Sequence, residues 1–92
     1  MKKQIKTISS DELDLIEKGK FYFLNGKYDE AIDEFEKVLK INPQNADAYF
    51  NLGITKEAKN DFSGAKKMFE KVIEIQPSHK SAKKHLDKLV GL

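Results

Sequence analysis

A 34-residue repeat constrains the fold of this 92-residue chain more than any local motif. Residues 35–43 read FEKVLKINP and residues 69–77 read FEKVIEIQP, so six of these nine positions are identical. Aligning residues 12–45 with residues 46–79 gives eight identities and pairs Gly19 with Gly53 and Ala31 with Ala65. A fixed period of this length is typical of stacked structural repeats, which present extended binding surfaces. The repeat therefore predicts the fold and directs the functional question toward binding.

Apolar spacing and turn residues predict five helices joined by short connections. Ala31, Phe35 and Val38 recur at helical spacing, and the same pattern returns 34 residues later. The helices are predicted over residues 11–24, 28–41, 46–59, 62–75 and 79–90. The first four end at the turn dipeptides Asn25-Gly26, Asn42-Pro43, Asn60-Asp61 and Gln76-Pro77. The predicted N-caps are Asn45, Asp61 and Ser78, and Ser9 with Glu12 forms a predicted capping box.

Small residues indicate where the helices of a pair approach each other. Gly19 and Gly53 fall in helix interiors, where glycine costs about 1 kcal/mol relative to alanine. Close backbone approach would compensate this cost. Ala31 and Ala65 lie on the facing helices, so we expect the helices to touch there. The phenylalanine four residues after each alanine is expected to fill the surrounding space.

These positions resemble the tetratricopeptide repeat, a helix-turn-helix unit with the pattern W-x2-L-G-x2-Y…A-x3-F…P. The matching residues of the second unit are Tyr49 in the place of tryptophan, Leu52, Gly53, Ala65, Phe69 and Pro77. Those of the first unit are Leu15 in the place of tryptophan, Gly19, Tyr22, Ala31, Phe35 and Pro43. Lys18 and Lys56 depart from the pattern, because they stand where it has leucine and tyrosine.

The resemblance implies an all-α fold of antiparallel helix-turn-helix repeats stacked as a short right-handed superhelix, an αα solenoid. We expect one domain over residues 10–92, with repeat 1 at about 12–45, repeat 2 at about 46–79 and a capping helix at about 79–90. Residues 1–9 are expected to be a flexible N-terminal segment. Arrays of this kind usually need about three or more units for stability, so two repeats and a cap lie at the lower limit.

The first helix of each repeat carries two apolar lines, whereas the second helix carries one. In the tetratricopeptide family the first helices line the concave surface, so the resemblance places the additional line in a groove. The predicted partner-binding residues are Leu13, Ile16, Lys20, Phe23, Phe50, Asn51, Ile54, Glu57, Lys84 and Lys88. The alternative interpretation is that Ile16, Phe23, Phe50 and Ile54 are additional core, covered by the N-terminal segment or by the last helix.

One binding mode of the family can be compared residue by residue. Some tetratricopeptide domains hold the C-terminal carboxylate of a chaperone with lysine, asparagine and arginine side chains. Asn51 matches the asparagine that the second repeat contributes. Ile16 and Lys20 replace the pair expected from the first repeat, and Ser81 and His85 replace the pair expected from the third unit. One match in five positions does not support that clamp.

The net charge of +2 conceals two basic ends and an acidic middle. Residues 1–6 carry three lysines, whereas residues 7–76 carry ten lysines and fourteen acids. This asymmetry could steer an acidic partner, although a solvated terminus and a solvated last helix are the ordinary interpretation. All seventeen basic residues are lysine, so the planar fork that reads guanine is missing. The sequence argues against specific nucleic-acid binding and leaves nonspecific binding through the basic ends as a weaker hypothesis.

Composition and spacing exclude several other classes. The chain has no cysteine, so it lacks disulfides and thiolate metal sites. No window approaches the roughly 18 apolar residues of a membrane span, and no signal peptide is recognisable, so a cytoplasmic protein is expected. His79 and His85 lack the spacing of a helical metal pair, and no phosphate loop or nucleophile motif is present. We expect no cofactor and no enzymatic activity.

Two functional hypotheses follow from this pattern. The first is a protein-interaction module or scaffold that binds a peptide or helix of another protein in the concave groove. Lysines at the groove would favour acidic flanks on such a partner. The second is a self-associating structural protein, a homo-oligomer whose groove is filled by another copy. Sedimentation at several concentrations distinguishes the two.

Overall fold

The computed structural model describes residues 10–91, and this range contains five α-helices and no strand. The helices are α1 (Ser10–Leu24), α2 (Tyr28–Ile41), α3 (Ala46–Ala58), α4 (Phe62–Ile75) and α5 (Lys80–Leu89). Helices α1 and α2 form one hairpin, α3 and α4 form the next, and α5 packs on α4. The two hairpins join because α2 also packs against α3. This architecture confirms the predicted all-α repeat solenoid. The N-terminal segment over residues 1–9, predicted to be flexible, lies outside the described residues.

The helix bounds follow the turn residues closely. The predicted ranges of α2 and α4 match the structure, and the other three helices differ from their predicted ranges by one residue at one or both ends. The side chain of Asn45 accepts a hydrogen bond from the Ala48 amide at 3.0 Å, which confirms it as the N-cap of α3. Asp61 caps α4 in the same way, through the Gly64 amide at 2.9 Å. The capping box predicted with Ser9 lies outside the described residues.

The N-cap of α5 differs from the prediction. His79, and not Ser78, caps this helix, because its Nδ1 atom accepts a hydrogen bond from the Ala82 amide at 3.0 Å. His79 stands 34 residues after Asn45, so both caps occupy the same position of the repeat. The N-cap therefore keeps its position in the repeat, while the capping group changes from an amide oxygen to an imidazole nitrogen.

The two hairpin turns are built alike. Gly26 and Asn60, which are 34 residues apart, both have left-handed backbone conformations, with φ of 74° and 66°. The amide that follows each one bonds back into the preceding helix, from Lys27 to the Tyr22 carbonyl and from Asp61 to the Lys56 carbonyl. Glycine and asparagine tolerate this conformation better than other residues, which explains their place at these helix exits.

An aromatic ring packs against the glycine inside each hairpin. A Cβ atom built on Gly19 would lie 2.5–2.8 Å from three ring atoms of Phe35. A Cβ atom on Gly53 would lie 2.6–2.9 Å from the same atoms of Phe69. The nearest neighbours of these glycines are therefore atoms of the phenylalanine ring. Both rings are fully buried, so each glycine provides the space for the largest core residue of its hairpin.

The outer face of repeat 1 differs chemically from the equivalent face of repeat 2. Leu52 is 2% exposed and packs with Met68 against the α2 side chains of repeat 1. The equivalent residues of repeat 1 are Lys18 and Glu34, whose Nζ and Oε2 atoms lie 3.9 Å apart. The Lys18 side chain is 56% exposed, because no described helix covers it. Lys18, which departs from the family pattern, therefore gives this face of repeat 1 a polar side chain where repeat 2 has an apolar one.

Candidate functional site

Four of the predicted partner-binding residues surround one cavity between α1 and α3. This α1–α3 cavity has a volume of about 410 Å³ and is lined by Glu17, Lys20, Phe23, Leu24, Asn51 and Ile54. Lys20 and Ile54 are equivalent residues of the two repeats, since they lie 34 positions apart. Phe23 and Ile54 are half-buried and also contact the core, so the floor of the cavity is apolar and firmly packed.

Two further predicted residues lie on α5. Lys84 and Lys88 line a cavity of about 370 Å³, the α5 cavity, together with Ser81, His85 and Asp87. Residues 81, 84, 85 and 88 have the spacing of one helical face, so these four side chains form one stripe along α5. Both lysines are exposed.

Phe50 and Glu57 connect α3 to α5. The Phe50 ring centroid lies 4.8 Å from that of His79 and 5.8 Å from that of His85. The Oε1 atom of Glu57 lies 2.9 Å from Nδ1 of His85. The His85 ring also stacks on the buried Phe69 ring at 4.7 Å. Phe50 is thus partly covered by the last helix, as the alternative interpretation held. Phe50 and Glu57, both predicted as groove residues, help to fix α5 in place.

Ile16 and Leu13 lie away from both cavities. Ile16 is 3% exposed and packs with Val38 and Ala48 where α1, α2 and α3 meet. The structure therefore places Ile16 in the core and not on a binding surface, because almost none of its side chain reaches solvent. Leu13 has the opposite environment, since it is 48% exposed near the start of α1.

Electrostatic pairing differs between the two cavities. In the α1–α3 cavity, Nζ of Lys20 lies 3.9 Å from Oε2 of Glu17, so the lysine charge is balanced locally. Asn51 uses one amide hydrogen within its own helix, donating to the Asp47 carbonyl at 2.8 Å. Within residues 10–91, no ion pair joins Lys84 or Lys88 to a carboxylate. The unbalanced positive charge therefore lies at the α5 cavity.

Sequence reasoning missed five lining residues, although helical spacing could have found them. Leu24 is 81% exposed and lies four residues after Lys20, on the same side of α1. Glu17 lies three residues before Lys20 on that side. The other three missed residues share the stripe of Lys84 and Lys88 or lie beside it, namely Ser81, His85 and Asp87. Predicting a wider face of α1 and of α5 as the binding surface would have included all five residues.

The chemistry available on this surface is apolar contact, amide hydrogen bonding and pairing of ammonium groups with carboxylates. No group of three or more His, Cys, Asp or Glu side chains within residues 10–91 is arranged to hold a metal ion. None of the five described helices combines the length and the hydropathy that spanning a bilayer requires.

Comparison with known proteins identifies relatives of this chain. A family model described as TPR repeat matches residues 19–60, and one described as Tetratricopeptide repeat matches residues 46–79. Tetratricopeptide repeat protein 14 of Mus musculus is 32% identical over 81 residues, which cover 88% of this chain and 11% of that protein. RNA polymerase II-associated protein 3 of Homo sapiens is 31% identical over an alignment 115 positions long, which covers 88% of this chain and 17% of that protein.

Solved structures give the same result over nearly the whole chain. The first TPR of Spaghetti (RPAP3) bound to the HSP90 peptide SRMEEVD has a TM-score of 0.55 and 28% identity, covering 94% of this chain and 95% of that one. The first TPR domain of human RPAP3 has a TM-score of 0.50 and 28% identity, covering 85% and 88%. This chain spans less than a fifth of the length of the curated relatives, which are matched over 11% to 18% of their residues. The chain belongs to the tetratricopeptide repeat family.

Proposed function

We propose that this chain is a protein-interaction module that binds a peptide or helix of another protein across the surface of α1, α3 and α5. The observation that carries the proposal is the α1–α3 cavity, where an apolar floor from both repeats lies beside exposed apolar and amide groups. Its volume of about 410 Å³ would accept one or two side chains of a partner. The relative whose TPR is bound to an HSP90 peptide supports the same mode of use.

Most of the affinity should come from apolar contact. Leu24 is 81% exposed, and burying such a side chain fully contributes about 1.5–3 kcal/mol. An exposed ion pair contributes about 0.2–1 kcal/mol. Leu24 and its neighbour Ile54 are therefore expected to anchor the partner, whereas the lysines adjust its orientation and the salt dependence of binding.

The experiment is a binding titration with matched variants. Fluorescence anisotropy with labelled SRMEEVD peptide measures the affinity of the full chain, since a related TPR is bound to that peptide. Leu24→Ser should weaken binding about tenfold, because the apolar anchor is lost. Phe21→Ser is the control, since Phe21 is 63% exposed on the same helix but does not line the cavity. Equal affinities of both variants would refute the assignment of the α1–α3 cavity.

The alternative occupant of this surface is a second copy of the chain. Exposed apolar side chains on α1 favour it, since Leu24 and Phe21 are 81% and 63% exposed. Sedimentation velocity over a wide concentration range tests this alternative. A concentration-dependent dimer that Leu24→Ser dissociates would support self-association, and a monomer throughout would exclude it.

We propose no catalytic role for either cavity. Ser81 and His85 both line the α5 cavity, yet no hydrogen bond joins them among the described residues. The Nδ1 atom of His85 is paired with Glu57, and its ring is stacked on Phe69. A nucleophile needs a base within hydrogen-bonding reach, and this arrangement does not provide one. Both polar groups fit a role in fixing and bordering the binding surface.

A further inference from the structure

The two cavities differ in charge, and the difference indicates what each would bind. At the rim of the α1–α3 cavity, Oε2 of Glu17 lies 3.9 Å from Nζ of Lys20, so the two charged side chains of this rim balance each other. The α5 cavity is bordered by Lys84 and Lys88 against the single carboxylate of Asp87. Charge complementarity therefore assigns apolar side chains of a partner to the first cavity and carboxylates to the second.

One polar side chain in the lining of each cavity is already engaged inside the protein, namely Asn51 and His85. One amide hydrogen of Asn51 is donated to the Asp47 carbonyl at 2.8 Å. The Nδ1 atom of His85 lies 2.9 Å from the Glu57 carboxylate. A chain-terminal carboxylate concentrates two oxygens at one point, and tight recognition of it requires several converging donors. Asn51 and His85 therefore each have only one further N–H group to offer, so they do not form such a converging set by themselves.

Lysine provides a different kind of recognition. Each ammonium group is a point charge on a flexible four-carbon stem with three donors, so it pairs with any carboxylate in reach. Lys84 and Lys88 are exposed, and no residue of the described range forms an ion pair with them. Two separate side-chain carboxylates match two such groups better than one terminal carboxylate does.

We infer that the partner binds through acidic side chains beside an apolar residue, and that it does not need a free C-terminus. This inference rests on the proposed peptide-binding function. It makes internal acidic segments of other proteins suitable partners, with carboxylates at Lys84 and Lys88 and the apolar side chain in the α1–α3 cavity. The occupant is thus an acidic and apolar peptide segment in the interior or at the end of a chain.

The test compares four labelled peptides on the full chain by fluorescence anisotropy. They are SRMEEVD with a free C-terminus, SRMEEVD amidated, SRMEEVDGSG amidated, and SRMQQVN amidated. The first three should bind with affinities equal within about twofold, because they share the apolar and acidic side chains and the terminal carboxylate makes no required contact. The fourth peptide, which keeps its arginine but has no carboxylate, should bind about 3–10-fold more weakly, since two exposed ion pairs are lost. Raising the salt concentration from about 50 mM to about 500 mM should weaken binding of the first three peptides and should not weaken binding of the fourth.

Matched variants test whether the acidic side chains of the peptide bind at the α5 cavity. Lys84→Gln/Lys88→Gln should weaken binding of the amidated acidic peptide about 3–10-fold. Lys80→Gln/Lys83→Gln removes the same charge from exposed positions that do not line the α5 cavity, and it should change affinity by less than about twofold. Circular dichroism confirms that both variants remain helical.

The outcomes separate this inference from the proposed function. Loss of binding on amidation, with the free peptide still bound, would overturn the inference and leave the peptide-binding function intact. Equal loss in both lysine variants would also overturn it, because binding would then depend on net charge alone. Failure of every peptide to bind would overturn the proposed function, and the inference with it.

Discussion

Alanine at position 53 should destabilise this protein, although alanine normally stabilises a helix interior. Removing glycine from an exposed helix interior gains about 1 kcal/mol. Here the new methyl group would lie 2.6–2.9 Å from three ring atoms of Phe69. The ring is fully buried and also stacks on His85, with centroids 4.7 Å apart, so it has no free space to enter.

The net effect follows from these two opposing contributions. Adding a methyl group to a well-packed core costs about 1–3 kcal/mol, and contact with a rigid ring places this site at the upper end. We therefore expect Gly53→Ala to lower the free energy of unfolding by about 1–2 kcal/mol. For a domain of this size each kcal/mol corresponds to a shift of about 4–8 °C in Tm.

Urea unfolding followed by far-ultraviolet circular dichroism measures this change, and a double-mutant cycle provides its control. Phe69→Leu removes the ring edge that the methyl group would meet, so Gly53→Ala should cost less in that background than in the parent. An increase in stability from Gly53→Ala in the parent protein would refute the packing argument. Equal costs in both backgrounds would show that the ring is not the cause.

Two further substitutions test buried polar groups. Glu34→Met should raise the free energy of unfolding by about 1 kcal/mol, because Oε1 of this 6% exposed residue has no hydrogen-bond partner among residues 10–91. Its lysine partners are more than half exposed, and Glu36→Met on the exposed face of α2 is the control. Asn45→Ala should cost about 2–3 kcal/mol, since it removes a helix cap and a buried hydrogen bond of 2.9 Å to Glu12. Thermal unfolding of both variants measures these changes, and Gln44→Ala at the exposed neighbouring position should be close to neutral.

Local chemistry explains why the helices could be predicted from the sequence. The exits at Gly26 and Asn60 depend on residues that tolerate a left-handed backbone, and the caps at Asn45 and Asp61 depend on short polar side chains. Each of these signals acts within four residues. The 34-residue repeat then specifies which helices are equivalent, and the hairpin architecture follows from the short connections.

The candidate site could be predicted only in part, because burial depends on contacts between repeats. Ile16 and Phe50 are equivalent in the repeat, yet Ile16 is 3% exposed whereas Phe50 is half-buried beneath α5. Their apolar character gives no indication of which neighbour covers each of them. His79 illustrates the same limit at a cap, since propensity favours Ser78 and only the repeat register points to His79.

Two polar residues of repeat 1 stand where repeat 2 has apolar residues, and the structure shows what replaces the apolar contact there. Lys18 and Glu34 occupy the places of Leu52 and Met68. A packed apolar contact in repeat 2 is therefore replaced in repeat 1 by an ion pair of 3.9 Å between an exposed lysine and a buried carboxylate. The repeat thus specifies the backbone, and the mismatched side chains Lys18 and Leu52 differ in their exposure to solvent. The mismatch of Lys20 with Ile54 lies at the α1–α3 cavity, which both residues line.

Mapping the bound peptide on the protein by NMR tests the central claim most directly. Isotope-labelled protein is titrated with amidated SRMEEVD, and amide shifts are followed along the described helices. We expect the largest changes at residues lining the two cavities, in particular Lys20, Leu24, Ile54, Ser81 and Lys88. Changes concentrated on the outer faces of α2 and α4, with the cavity residues unmoved, would contradict it.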